Sequence, residues 1–134
     1  MQELTHYING AHVAGASGRF SNVYNPATGE VQAKVPLASA DEMAQAVEIA
    51  AAAQVAWGAV NPQRRARVMM KFVDLLNRDM DALAEALSRE HGKTLPDAQG
   101  DVQRGLEVVE YCIGAPQMLK GDFTDTAGPG IDMY

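Results

Sequence analysis

Among the side chains of this 134-residue chain that could do chemistry, Arg104 keeps the most informative company. It stands in DAQGDVQRGLEVVEYC, residues 97–112, with Asp101 three residues before it and Glu107 three after. On a helix that spacing brings both carboxylates within reach of the guanidinium. Such a surface ladder is worth a few tenths of a kcal/mol per pair, about 0.2–0.5. Gly100 and Gly105 point to something more, because each interior glycine costs about 1 kcal/mol against alanine. Gly100 lies one turn before Arg104 on the same face. Helical side chains lean toward the N-terminus, so Gly100 leaves the space under the Arg104 stem open. An arginine presented there offers a planar fork that matches a carboxylate with two parallel hydrogen bonds. The residues alone leave two readings: an ion-pair ladder, or an anion-binding arginine.

The other candidates carry less. Cys112 is the only cysteine, three residues after Val109 and beside Ile113. A reactive thiolate needs a cation or a helix N-terminus nearby, whereas Glu110 is its close neighbour, so a buried structural thiol is expected. The stretch HGKT, 91–94, has the ending of a phosphate loop. Leu87 occupies the position where that loop needs glycine, and a helix is expected where the loop needs a strand. Gly92 reads instead as a helix C-cap, with Lys93 favourably near a helix C-terminus. His6, His12 and His91 have no second ligand at metal spacing, and no metal site is expected.

The elements that must position Arg104 follow from the pattern. Asn9-Gly10 between short apolar runs predicts a hairpin with a type I′ turn, carrying His6 and His12 on an exposed surface. Asn25, Pro26 and Gly29 predict a turn before the strand EVQAKV, which alternates Val31, Ala33 and Val35 against Glu30, Gln32 and Lys34. Pro36 ends that strand or places it at an edge. Ser39 and Glu42 form a capping box for a helix with the stripe Met43, Val47, Ala50, Ala53 and Trp57, stopping at Gly58. Asn61-Pro62 opens a second helix with the stripe Met69, Phe72, Val73 and Leu76. Asp79 caps a third, with Leu83, Ala84 and Leu87 inward and Gly92 at its end. The fourth, carrying Arg104, runs from Thr94 or Pro96 to about Ala115, with Ala98, Val102, Leu106, Val109 and Ile113 inward and Pro116 limiting it. A loop through AGPG precedes IDMY, which reads as the start of a strand.

Composition narrows the function classes. Seventeen acidic residues face eleven Lys and Arg, a formal net charge of −6, and the basic residues cluster only at Arg64, Arg65 and Arg67. No nucleic-acid or membrane partner is expected. A lone cysteine makes no internal disulfide, and the first residues carry neither a secretory nor a transit pattern, so the expected location is cytoplasmic.

Larger stretches resemble a known family. YNPATGEVQAKVP, an Ala-rich helix ending in Trp57, and RARVMMKFVDLLNRDMDALAEALSREHGKTLPDAQGDV are similar to the N-terminal part of NAD-dependent aldehyde dehydrogenases, including Glu90, Gly92, Lys93 and Ala98 of a Glu-x-Gly-Lys-x-x-x-x-Ala pattern. GKTLPDAQGDVQRGLEVVEYC resembles, more narrowly, the CoA-acylating methylmalonate-semialdehyde branch. The resemblance implies an α/β chain: the N-terminal portion of the aldehyde dehydrogenase fold, with β-hairpins and then about four helices flanking a Rossmann-like coenzyme domain. It implies a β-hairpin region over 1–37, a helical region over 39–116, and a loop with the start of an oligomerisation strand over 121–134. At ~150 residues per domain, three domains make about 450 residues, so this chain would be an opening portion.

The resemblance further implies NAD and CoA as cofactors of the full-length enzyme, a small carboxylated aldehyde as substrate, and a homo-oligomer, a tetramer when complete. The reaction would oxidise and decarboxylate the semialdehyde to propionyl-CoA or acetyl-CoA. The branch places a carboxylate-binding arginine where Arg104 stands, which makes Arg104 the expected substrate-binding residue. The family's Gly-Gln-Arg-Cys nucleophile sequence, its general-base glutamate, its Phe-Asn-Phe-Pro segment and its Gly-Ser-Thr coenzyme loop have no match here. Cys112 therefore inherits no catalytic role, Glu107 and Glu110 match helix positions and not the base, and the chain alone is expected to bind no coenzyme and to be inactive. The alternatives are a semialdehyde dehydrogenase that releases free acid, or a non-enzymatic helical interaction module.

Overall fold

The computed structural model describes residues 2–119 and 121–134. The chain is α/β and divides into two compact units, Met1–Gly58 with Arg89–Gly92, and Ala59–Ser88 with Lys93–Tyr134.

In the first unit, β2 (His6–Ile8) and β3 (Ala11–Val13) pair antiparallel, with Ile8 opposite Ala11. Asn9 and Gly10 have φ of 55° and 75°. Two left-handed residues in a two-residue loop are what a type I′ turn requires. A three-stranded sheet has the order β1 (Gln2–Glu3), β5 (Val31–Pro36), β4 (Phe20–Tyr24), with β1 parallel and β4 antiparallel to the middle strand. The expected turn between β4 and β5 is closed by Gly29 N–H donating to the Asn25 carbonyl at 2.8 Å and by Ala27 N–H donating to Asn25 Oδ1 at 2.9 Å. β5 is a central strand, so Pro36 ends it and does not mark an edge; standing last, opposite Phe20, its missing N–H interrupts no ladder.

Helix α1 (Ala40–Gly58) begins with the expected capping box: Ser39 N–H donates to Glu42 Oε2 at 2.8 Å and Glu42 N–H to Ser39 Oγ at 3.2 Å. Its orientation differs from the sequence expectation. Met43, Val47, Ala50, Ala53 and Trp57 are exposed, and the half-buried side is Glu42, Ala46 and Ile49. The run IAAAA is apolar all round, so periodicity had no polar face against which to choose.

In the second unit, Asn61 caps α2 (Pro62–Arg78): its Oδ1 accepts from Gln63 N–H at 2.9 Å, and Pro62 fills the first turn. Met69, Val73 and Leu76 are half-buried around buried Ala66, while Phe72, expected with them, is exposed. Asp79 opens α3 (Met80–His91) through its backbone carbonyl, which accepts from Leu83 N–H at 2.9 Å. Its side chain does not cap; both oxygens accept from the adjacent Arg78, at 2.8 and 2.7 Å. Ala84 is buried and Leu87 half-buried as expected, with Leu83 at the exposed rim.

Helix α4 (Leu95–Ile113) packs on α2 with its expected stripe inward: Ala98 and Leu106 buried, Val102, Val109 and Ile113 half-buried. Gly114 ends it. Pro116 does not limit it but lies in the first turn of a fifth, short helix, α5 (Ala115–Met118), where a missing N–H costs nothing. The segment expected to be a loop through AGPG contains a strand: β6 (Thr124–Gly128) pairs with β7 (Ile131–Met133), and Gly130 turns at φ 69°. Irregular pairing hides it from the sequence, since Thr126 is left-handed at φ 52°. Side chains hold it: Thr126 N–H donates to Asp132 Oδ1 at 2.8 Å, and Asn61 Nδ2 donates to the Thr126 and Ala127 carbonyls at 3.2 and 3.1 Å.

Candidate functional site

Arg104 projects from the middle of α4, on the face away from Ala98 and Leu106. It is 70% exposed. Nη2 pairs with Asp101 Oδ1 one turn earlier. Glu107, the other rung of the expected ladder, accepts instead from Gln103 Nε2 at 3.3 Å. A Cβ built on Gly100 would meet nothing within 4 Å, and neither would one on Gly105. The space that the glycine spacing predicted beside the arginine is open.

The far side of Asp101 is occupied as well. Lys93 Nζ bonds Asp101 Oδ2 and lies 3.0 Å from Asp97 Oδ2. Lys93 is placed by the helix–helix junction: the Ser88 hydroxyl donates to the Lys93 carbonyl at 2.7 Å, and Thr94 follows as the N-cap of α4 in extended backbone, with no side-chain cap bond of its own. Gly92, at φ 81°, supplies the left-handed residue that ends α3, and a Cβ there would come within 2.9 Å of Pro26 Cγ. The sequence pattern alone marks Lys93 only as a favourable charge near a helix C-terminus. Asp97 and Asp101 share one face of α4 by their spacing, but Lys93 stands before the N-cap Thr94, so spacing alone does not fix its contact with them.

Cys112 is exposed, not buried. It lies one residue step, about 100°, round from Ile113, which takes it off the packed stripe. Thr5 Oγ1 and His12 Nδ1 are 2.8 Å apart on the first hairpin, and among the described residues no group of three His, Cys, Asp or Glu side chains could hold a metal ion. A hollow of about 320 Å³ in the first unit is lined by Ile8, Asn9, Ala11, Val13, Gln45, Ala46 and Ile49, none of them ionisable. In the same unit Glu42 is held below the ordinary carboxylate range, chiefly by the Ala16 N–H at 2.6 Å and then by the Ser39 N–H.

One dinucleotide-binding pattern is a strand that passes through a glycine-rich turn into a helix N-terminus. The passage from β5 into α1 runs through Leu37, Ala38 and Ser39, without glycine.

Strands, helices and the GKTLP junction thus reproduce an α/β segment of one enzyme class, and the aldehyde dehydrogenase family profile matches residues 12–134. The chain belongs to the aldehyde dehydrogenase family. It is 44% identical over all 134 of its residues to the malonate-semialdehyde dehydrogenase of Pseudomonas aeruginosa, of which it covers 27%. It is 38% identical over 128 residues to a Dictyostelium discoideum protein described as an acylating, mitochondrial methylmalonate-semialdehyde/malonate-semialdehyde dehydrogenase, of which it covers 24%. Among solved structures, 98% of the chain superposes on 27% of a Sinorhizobium meliloti 1021 protein described as a methylmalonate-semialdehyde dehydrogenase in complex with NAD, with a TM-score of 0.88 and 64% identity. The chain therefore spans about a quarter of the length of these relatives.

Proposed function

We propose that this chain is the N-terminal quarter of an NAD-dependent, CoA-acylating (methyl)malonate-semialdehyde dehydrogenase, and that Arg104 binds the carboxylate of the semialdehyde. The full-length enzyme converts the semialdehyde to acetyl-CoA or propionyl-CoA. The observation that carries the reading is the arginine itself: an exposed guanidinium on a motif shared with that branch, tied by one nitrogen to Asp101 and bordered by open space at Gly100. In this reading NAD and CoA are bound by the rest of the polypeptide, and the 134-residue chain alone turns over no aldehyde. The exposed apolar side chains of α1 and the outer face of α4 support a chain that packs against further polypeptide: Val47, Val55, Trp57, Val108 and Tyr111 all face solvent. The reading extends to a cytoplasmic homotetramer; a lone cysteine suits a reducing compartment.

The test is Arg104→Ala in the full-length enzyme, assayed with malonate semialdehyde and with propanal. A charge-assisted hydrogen bond is worth about 1.5–3 kcal/mol, so kcat/KM for the semialdehyde should fall about 10–100-fold. Propanal, which has no carboxylate, should lose less than about threefold. Equal losses on both aldehydes would reduce Arg104 to a surface ion pair.

A further inference from the structure

We infer that Lys93 and Asp101 are positioning residues for Arg104: Lys93 holds one oxygen of the Asp101 carboxylate so that the other holds Arg104 Nη2 and turns the remaining guanidinium edge toward a carboxylate ligand. The inference rests on the reading of Arg104 given above and adds to it the source of that arginine's orientation and electrostatics.

Three observations carry it. Asp101 uses both oxygens, Oδ1 on Arg104 and Oδ2 on Lys93, and is 30% exposed. Lys93 is the most enclosed member, 14% exposed, and its ammonium also meets Asp97. Arg104, the outermost, has no other ion pair among the described residues. Enclosure thus increases from the outermost arginine to the anchoring lysine, as in a side chain braced from behind.

The physical need is twofold. A freely rotating arginine must be ordered when it binds, and ordering it beforehand removes that cost from the binding step. Asp101 alone would order it, but an unneutralised carboxylate beside the fork would repel the carboxylate of the ligand. Lys93 removes that conflict: Lys93, Asp97, Asp101 and Arg104 together sum to zero charge, so Asp101 can grip the arginine without opposing the incoming anion. Gly100 leaves the approach open.

The experiment is steady-state kinetics of the full-length enzyme with malonate semialdehyde and propanal, for Lys93→Met, Lys93→Arg, Asp101→Asn and Arg104→Ala side by side. Coupled neighbours of this kind typically shift affinity several- to a hundredfold, and about tenfold is expected here: Lys93→Met and Asp101→Asn raise KM for the semialdehyde by that factor, with kcat and the propanal parameters within about twofold. Lys93→Arg restores most of the loss. In an Arg104→Ala background, Lys93→Met adds nothing further on the semialdehyde. Asp101→Asn keeps the side-chain shape, and its kinetics decide the matter should Lys93→Met not fold. The inference is overturned if Lys93→Met and Asp101→Asn leave semialdehyde KM unchanged, or weaken both aldehydes alike, while Arg104→Ala shows its carboxylate-selective loss. An Arg104→Ala enzyme without that selectivity removes the reading of Arg104 itself, and the inference falls with it.

Discussion

Helices α1 and α4 are both 19 residues long, and they are helical for different reasons. α1 is rich in alanine, starts with a reciprocal capping box and has Asp41 and Glu42 in its first turn, yet buries no residue. Its length exceeds the ~12–15 residues below which isolated helices are marginal, and its composition is the most favourable available. α4 has Gly100 and Gly105 in its interior and an N-cap threonine that makes no side-chain cap bond, yet it buries Ala98 and Leu106. One helix is held mainly by local propensity and the other by packing on α2. The helix that is locally weaker is the one that carries the candidate functional arginine. A packed stripe anchors Arg104 rigidly from behind, and the glycines that weaken the helix leave its outer side unobstructed.

This contrast predicts unequal responses to substitution. The largest is at Leu106, which is 3% exposed: Leu106→Ala should destabilise the second unit by about 3 kcal/mol through lost burial and a cavity. The matching change on α1, Val47→Ala, should stay within about 0.5 kcal/mol, because that side chain already faces water. Urea denaturation followed by circular dichroism, with residue-level hydrogen exchange, measures both; comparable losses would dissolve the distinction between the helices.

Next in size is Gly105→Ala. An added Cβ meets nothing within 4 Å, and the position lies inside a regular helix, so stability of the 134-residue chain should rise by about 0.5–1 kcal/mol. A fall in the denaturation midpoint would show that Gly105 is needed for its size. The same substitution in the full-length enzyme reports whether further polypeptide lies close to that face, where the added methyl would be unfavourable.

The smallest effect concerns the cap of α1. Glu42 has its pKa lowered by the Ala16 and Ser39 N–H groups, so its ionised form is favoured in the folded chain. A depressed carboxylate contributes stability that is fully present above its unfolded pKa and lost as pH falls through the folded value. Amides at the start of α1 should therefore exchange faster, relative to the intrinsic rate, as pH drops below the ordinary carboxylate range. Glu42→Gln should remove that component of the pH dependence. An unchanged profile in the Glu42→Gln chain would remove the carboxylate from the cap's energetics.

Legibility in the sequence followed the range of the interactions. Asn9-Gly10, the Asn25–Gly29 turn, the Ser39–Glu42 box, the Asn61-Pro62 start and the Gly92 stop all took the structures expected of them, because each is settled within a few residues by φ preference or a side-chain hydrogen bond. The α4 stripe was legible because polar residues border it. Elements whose placement depends on distant partners were not. The exposed side of α1, the outward Phe72, the exposed Cys112 and the β6 strand each required knowing what lies opposite.

The candidate site divides the same way. Residue types and spacing by themselves determined that Arg104 lies on a helix near a glycine and one turn from Asp101; the resemblance to the aldehyde dehydrogenase family added the motif around it. Only the tertiary structure decided that Glu107 bonds Gln103 and that Lys93, from the junction before α4, closes on the far oxygen of Asp101. Spacing along a helix states which charges can meet. Which of them do meet depends on how the preceding chain enters the helix, where the Ser88 hydroxyl holds the Lys93 carbonyl and Thr94 is extended.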